Sequence, residues 1–271
     1  MLYPKIQARQ PIDHVEHIDG DLETALLIIL LARHDIVAQS LSPPMNKTSS
    51  PAFTLIELLV VIAIIAVLAL LAGPALTQAL SKGQMTGTMN NARQLYLAGF
   101  QMATDGGTNS DPNLSWPGDD PALTDLQGYC TKLVQNDYLK AGDLQKILNA
   151  PGSNCNVTSV PGPPASVTLT GTSALKVYKV READPANTIF SVTANYVYDT
   201  TPLATAAPYG DKGFVVMRKG GDAGVYRKNQ ATTAGWNNDN DKFQTAIGRR
   251  PGDADGAVTP GDGSAVLTLP Q

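Results

Sequence analysis

The sequence has few of the residues on which catalytic and disulfide-stapled proteins depend. Two cysteines among 271 residues are too few for a disulfide scaffold. All three histidines (His14, His17 and His34) precede residue 35, so the remainder of the chain can form neither a histidine-based catalytic triad nor a histidine metal site. The three could form a metal cluster only if the N-terminal region is made. We also see no repeat at a fixed period, which argues against a solenoid.

Charged residues are also scarce, and acidic residues outnumber basic ones. Charged residues make up 16% of the chain, against roughly 25% in typical soluble domains. The formal net charge is −4 and the pI is about 5.3. There is therefore no overall basic excess of the kind that attracts nucleic acid, and no nucleic-acid partner is predicted.

The feature that the sequence does have is one long apolar run. Residues 58–81 contain no charged side chain, and a helix needs roughly 20 apolar residues to cross a bilayer. The run is longer than the roughly 7–15 apolar residues of a cleaved signal peptide. It is also apolar on all sides, unlike a helix with one buried face. We therefore expect a membrane-spanning helix; a plain signal anchor and an interior core helix are the alternatives.

Glu57 does not fit a plain anchor, because it lies at the start of this apolar segment. A carboxylate in a membrane helix costs at least a few kcal/mol and normally marks a function and a partner. No basic side chain is close in the sequence. A cut before Phe53 would create an α-amine that is largely protonated at neutral pH. Glu57 would then also lie in the first helical turn, where the helix dipole favours an anion.

The segment Phe53–Ile65, FTLIELLVVIAII, resembles the N-terminus of type IV pilins and type II secretion pseudopilins. The resemblance implies that prepilin peptidase removes a short leader between Ala52 and Phe53 and that Phe53 is then methylated. The family usually has glycine before the cut, where this chain has Ala52. Glu57 matches the family's glutamate, and Pro74 matches a proline found further along the helix.

The resemblance further implies a structural subunit and not an enzyme. Its partners would be prepilin peptidase, other pilin or pseudopilin subunits, and an inner-membrane assembly platform with its ATPase. The chain would cross the bacterial inner membrane once, with its C-terminal domain in the periplasm, and would join an extracytoplasmic filament after assembly. The alternatives are a single-pass anchored periplasmic binding domain that does not polymerise, and an anchored enzyme. No nucleophile motif, phosphate loop or metal spacing after residue 53 favours an enzyme.

Family leaders are short, whereas 52 residues precede the expected cut. Residues 1–44 are more acidic than basic, unlike a signal n-region. We therefore predict that translation starts at Met45, that residues 1–44 are a non-native extension, and that residues 45–52 are the leader with Lys47 as its positive charge. The alternative is an extended leader with a small helix over residues 21–39.

The remaining chain predicts an α+β fold, in which a long N-terminal transmembrane and stem helix packs on a periplasmic antiparallel β-sheet domain. Residues 53–104 form the helix, with a weak point at Pro74, and residues 105–271 form the domain. An apolar stripe is expected to dock the stem: Leu76, Leu80, Ala92, Tyr96, Gly99, Phe100 and Ala103. A loop over residues 81–90 is the alternative.

Gly106 and Gly107 predict the stop of the long helix. Asp120 is expected to cap a second helix, and a third is expected over 143–149. The following sequence predicts short strands, with a hairpin turn at Gly220 and Gly221; the strands are expected over 166–170, 174–181, 188–198, 213–218, 224–228 and 265–269.

Two further sets of residues are candidate sites. Cys130 and Cys155 can form a disulfide outside the cytoplasm, worth about 3 kcal/mol in the loop-entropy model; two buried thiols are the alternative. Acidic turns near the C-terminus offer oxygen ligands of the kind that calcium prefers. The candidates are Asp253, Asp255 and Asp262, and solvated loop acids are the alternative. No other cofactor is predicted.

Overall fold

The computed structural model describes residues 53–269, apart from the side chain of Pro74. The expectations for residues 1–44, Met45 and Ala52 lie outside the described residues. The chain divides into two compact units, residues 1–61 and residues 62–271. In the first unit only the start of the long helix is described.

The architecture is α+β, as predicted. The helices are α1 (Leu55–Asn109), α2 (Leu126–Gln135), α3 (Ala141–Ile147) and α4 (Asn240–Ala246). The strands are β1 (Asn156–Val160), β2 (Ser166–Thr170), β3 (Leu175–Val177), β4 (Ile189–Thr193), β5 (Phe214–Arg218) and β6 (Ala223–Tyr226). Strands β1 and β2 form an antiparallel pair, and β3–β4–β5–β6 form a four-stranded sheet in sequence order with every pairing antiparallel.

Helix α1 is continuous from Leu55 to Asn109 and runs through Pro74. The alternative of a loop over residues 81–90 is therefore wrong. The glycines at 106 and 107 do not end the helix, although the sequence suggested a stop there. Gly106 instead lets the following loop come close, since a Cβ at this position would lie 1.6 Å from the carbonyl oxygen of Leu114.

The buried face of α1 begins later than its apolar pattern predicts. Leu76 and Leu80 are 70% and 61% exposed, so their inclusion in the docking stripe was wrong. The buried positions begin at Met85 and include one polar residue. They are Met85, Thr88, Ala92, Leu95, Tyr96, Ala98, Gly99, Met102 and Gly106. The helix thus has a docked C-terminal part and an apolar part that the domain does not cover.

Aromatic rings join the docked part of α1 to the sheet. Phe190 on β4 lies at the centre, with its ring 5.6 Å from that of Tyr96, 6.0 Å from Trp116 and 6.5 Å from Tyr129. The hydroxyl of Tyr96 also donates to the carbonyl of Lys219 at 2.7 Å. Edge-on aromatic pairs of this kind add about 0.5–1.5 kcal/mol each beyond their buried area.

Aspartate side chains cap two of the short helices, α2 and α4, whereas α3 has no side-chain cap. Asp125, and not Asp120, caps α2, because its carboxylate accepts from the amide of Gly128 at 2.6 Å. Asp120 pairs with Lys132 instead. Helix α3 begins two residues before the predicted 143–149. Helix α4, which was not predicted, is capped by Asp239.

The four-stranded sheet is shorter at its ends than the β-rich sequence predicts. The hairpin over Gly220 and Gly221 is confirmed, and Gly221 has a φ of +89°, which favours glycine. The strand predicted over 265–269 is wrong. Val266 bridges Tyr178 and Thr268 bridges Asp125, so this segment pairs one residue at a time with two different partners.

The C-terminal segment is held by an ion pair between a buried lysine and a partly buried aspartate. The carboxylate of Asp262 pairs with Lys176 on β3 and accepts from the hydroxyl of Tyr178 and, at 3.0 Å, from the amide of Tyr198. Burial lowers the pKa of Lys176, and the neighbouring Asp262 acts in the opposite direction. The pair therefore depends on both partners being present.

We expect Gly99→Ala to destabilise the domain, because its Cβ would lie 2.1 Å from the hydroxyl of the buried Tyr129. Gly87→Ala is the matched control in the same helix, since nothing lies within 4 Å of the added Cβ. It should be neutral or stabilising by up to about 1 kcal/mol. Thermal unfolding of the detergent-solubilised full chain measures both. Equal effects of the two substitutions would contradict the close approach of α1 to Tyr129.

We expect Asp262→Ala to lower the free energy of unfolding by roughly 3–5 kcal/mol, because it leaves the Lys176 ammonium buried without a partner. Asp255→Ala is the control, since this carboxylate is 87% exposed and pairs with Arg249 at the surface. Its loss should cost no more than about 1 kcal/mol. Chemical denaturation of the full chain in detergent compares the two, and a small effect at Asp262 would show that the pair does not hold the segment.

Candidate functional site

The start of α1 is a capping box built from two residues. Thr54 precedes the helix, and both its amide and its hydroxyl donate to Oε2 of Glu57 at 2.8 Å. In return, the amide of Glu57 donates to the hydroxyl of Thr54 at 3.3 Å. This reciprocal arrangement satisfies backbone donors that a helix start leaves unpaired. Thr54 was not singled out from the sequence, although Thr-x-x-Glu before an apolar run is the known signature of such a cap.

The capping box uses only one oxygen of the glutamate. Both donors from Thr54 bind Oε2, and Oε1 accepts no hydrogen bond from any residue in the range 53–269. The side chain is exposed. Glu57 can therefore cap its own helix and still offer an oxygen to an external cation.

The residues around Glu57 form an uncovered apolar surface. Phe53 is 79% exposed, and the large apolar side chains that follow it up to Leu71 are exposed as well. Within the described part of the chain, α1 is the one helix long and apolar enough to cross a membrane. A continuous apolar surface of this size is not stable in water, so lipid or other apolar helices must cover it.

The two cysteines are neighbours in the fold but are not joined by a disulfide bond. Cys130 on α2 and Cys155 before β1 are both buried free thiols, which is the alternative to a disulfide. Burial raises the pKa of both thiols, and the neighbouring Cys155 adds to the effect at Cys130. Buried thiols with raised pKa values are poor nucleophiles.

The structure does not bring the calcium candidates together. Asp262 pairs with Lys176, Asp255 pairs with Arg249, and Asp253 pairs with Arg250 at 2.8 Å. Oδ2 of Asp253 is buried without a hydrogen-bond partner among residues 53–269, but the guanidinium beside it already balances the charge. Over the same residues, no group of three or more acidic, cysteine or histidine side chains could hold a metal ion.

The comparisons with known proteins bear on the start of α1. A family model described as the prokaryotic N-terminal methylation motif matches residues 49–73. No curated protein and no solved structure matches the chain. The match covers Ala52, Phe53 and Glu57 and ends just before Pro74, so it concerns the N-terminal segment and not the domain.

The match points to a structural subunit that is processed by prepilin peptidase. Together with the apolar helix, it fits a protein anchored in the inner membrane by a single span. The chain thus carries the prepilin-type cleavage and methylation signature of type IV pilins and pseudopilins.

Proposed function

We propose that this chain is a filament subunit, assembled through α1 into a type II secretion pseudopilus or a type IV pilus. Cleavage between Ala52 and Phe53 and methylation of the new amine would prepare it. The observation that carries the proposal is a single carboxylate, Glu57, at the start of a helix whose large apolar side chains are exposed up to Leu71.

The proposed mechanism begins in the bilayer. Before assembly, lipid covers the exposed apolar part of α1, with the domain on the periplasmic side. An inner-membrane platform driven by its ATPase extracts the subunit, and helices of neighbouring subunits replace the lipid. Burial is retained throughout, so the transfer does not require the apolar surface to enter water.

In this mechanism, Glu57 fixes the position of each helix along the filament axis relative to its neighbours. In the proposed filament, Oε1 of Glu57 binds the α-amine of Phe53 on an adjacent subunit while Oε2 stays bound to Thr54. The carboxylate is then paired among apolar helices, where an unpaired charge would cost several kcal/mol. A helix displaced along the axis would lose this pair, and such displacements are therefore disfavoured.

The docked part of α1 links the filament core to the domain. Tyr209 on a domain loop lies over α1, where its hydroxyl is 2.5 Å from that of Thr88 and donates to the carbonyl of Gln84 at 3.1 Å. Asn91 donates to the carbonyl of Lys146 at 3.1 Å. These contacts all lie after residue 83, so they leave the preceding apolar part of the helix available to other subunits.

We expect processing to make Phe53 the mature N-terminus. Mass spectrometry of the protein purified from its native membrane should identify Phe53 as the first residue, carrying one N-methyl group. Cells that lack prepilin peptidase should instead retain the residues before Phe53. Finding an uncut Ala52–Phe53 bond in wild-type cells would contradict the proposal and favour an anchored periplasmic binding domain that does not polymerise.

Substitutions at position 57 separate the charge of Glu57 from its capping role. Glu57→Gln keeps an oxygen that can accept from Thr54, because glutamine also serves in a capping box, but it removes the charge. Glu57→Gln and Glu57→Ala should both insert into the membrane, as detected by membrane fractionation. Both should be incorporated into filaments at least tenfold less than the wild type.

Thr54→Val is the matched control, because it removes the capping hydroxyl and keeps the carboxylate. It should be incorporated substantially better than Glu57→Gln, as measured by immunoblotting of sheared filaments. If Glu57→Gln is incorporated normally while Thr54→Val is not, capping and not the charge is the function of Glu57, and the proposed pairing is wrong.

A further inference from the structure

An open groove of about 1190 Å³ lies between α1 and the domain, within the unit formed by residues 62–271. One wall is the stretch of α1 over residues 77–86. The opposite wall is formed by residues 225–235, with Lys212 and Thr201 at its edge. The groove is separate from the capping box of Glu57.

The charge of this groove is opposite to that of the protein. Four cationic side chains line it, Lys82, Lys212, Arg227 and Lys228, and no aspartate or glutamate does. Lys228 pairs with Asp211 at 2.8 Å. The exposed side chains of Lys82, Lys212 and Arg227 make no hydrogen bond or ion pair with any residue that the structure describes, although Lys212 interacts electrostatically with Asp211. A chain of net charge −4 thus concentrates an excess of positive charge in one groove.

The groove also has a defined position along the stem. Lys82 is the first charged residue after Glu57, and it follows directly on the uncharged run 58–81. As a helix this run is roughly 36 Å long, slightly more than the roughly 30 Å hydrocarbon core of a bilayer. The wall over residues 77–86 therefore falls where the stem leaves the hydrocarbon and meets the lipid headgroups.

We propose that this groove binds the phosphate headgroup of an anionic phospholipid in the leaflet from which the stem emerges. Three cationic side chains that line one open groove without an ion pair, Lys82, Lys212 and Arg227, suit a phosphate group. The anchored helix holds the groove at headgroup depth, so the ligand is always present at high local concentration. The exposed Val225 offers apolar contact to the glycerol and the first chain carbons.

A bound lipid would hold the domain against the membrane before assembly. This proposal goes beyond subunit assembly, because it requires only an anchored chain and neither cleavage nor polymerisation. A second copy of the chain that presents acidic side chains is the competing occupant. The lipid is favoured because the groove begins where the apolar run ends, whereas an interface between copies does not require that position.

Native mass spectrometry of the detergent-solubilised full chain tests the proposal directly. The protein is titrated with a short-chain phosphatidylglycerol, with phosphatidylcholine of the same chain length, or with inorganic phosphate. We expect a one-to-one complex with phosphatidylglycerol, binding at least tenfold weaker for phosphatidylcholine, and no retained inorganic phosphate. The same spectra report dimers of the chain.

Substitutions assign the binding to the groove. Lys82→Gln, Lys212→Gln and Arg227→Gln should each weaken phosphatidylglycerol binding about fivefold, and the triple variant about a hundredfold. The matched control neutralises three exposed lysines outside the groove and has the same net charge. It combines Lys140→Gln, Lys146→Gln and Lys242→Gln, and it should change the affinity less than twofold.

Four results would overturn the proposal. Equal binding of the two lipids would show that the headgroup charge is not recognised. Retention of inorganic phosphate as tight as that of phosphatidylglycerol would identify a free anion as the ligand. Equal weakening in the control triple variant would show that only net charge matters. A groove variant that binds lipid normally and no longer forms dimers would identify a second copy as the occupant.

Discussion

The structure depends on the mismatch between the length of α1 and the surface that its domain can cover. The domain buries the helix from Met85 onward, through Tyr96 and Gly99, and leaves the apolar side chains before it exposed. Such a surface must be covered by lipid or by other helices. One helix therefore has two environments. Its C-terminal part stabilises a folded domain, and its N-terminal part can exchange one apolar neighbour for another.

Charged groups in this protein take three different roles according to their surroundings. The Lys176–Asp262 pair joins a buried lysine to a partly buried aspartate and holds the C-terminal segment, where loss of either partner leaves a charge without compensation. Glu57 caps its own helix with one oxygen and keeps the other free. Lys82, Lys212 and Arg227 in the groove are exposed and form no ion pair with any residue that the structure describes. Only groups of the last two kinds can bind a partner without unfolding the domain.

The acidic turns show why composition alone misleads about metal sites. Asp253, Asp255 and Asp262 are close in sequence and rich in the oxygen ligands that calcium prefers. In the fold each carboxylate lies beside a different cation. The arginines at 249 and 250 were visible in the sequence as neighbours, but Lys176 is distant along the chain, and no local pattern indicates that β3 brings it to Asp262.

The sequence by itself determined the long apolar helix, its misplaced carboxylate and the antiparallel character of the domain. These depend on local properties, namely hydrophobicity, chain length and turn residues, which can be read along the chain. Tertiary structure alone decided where the docking face of α1 begins, which carboxylates are paired, and that Lys82 shares a groove with Arg227. These depend on contacts between residues far apart in the sequence, and such contacts exist only once the chain has folded.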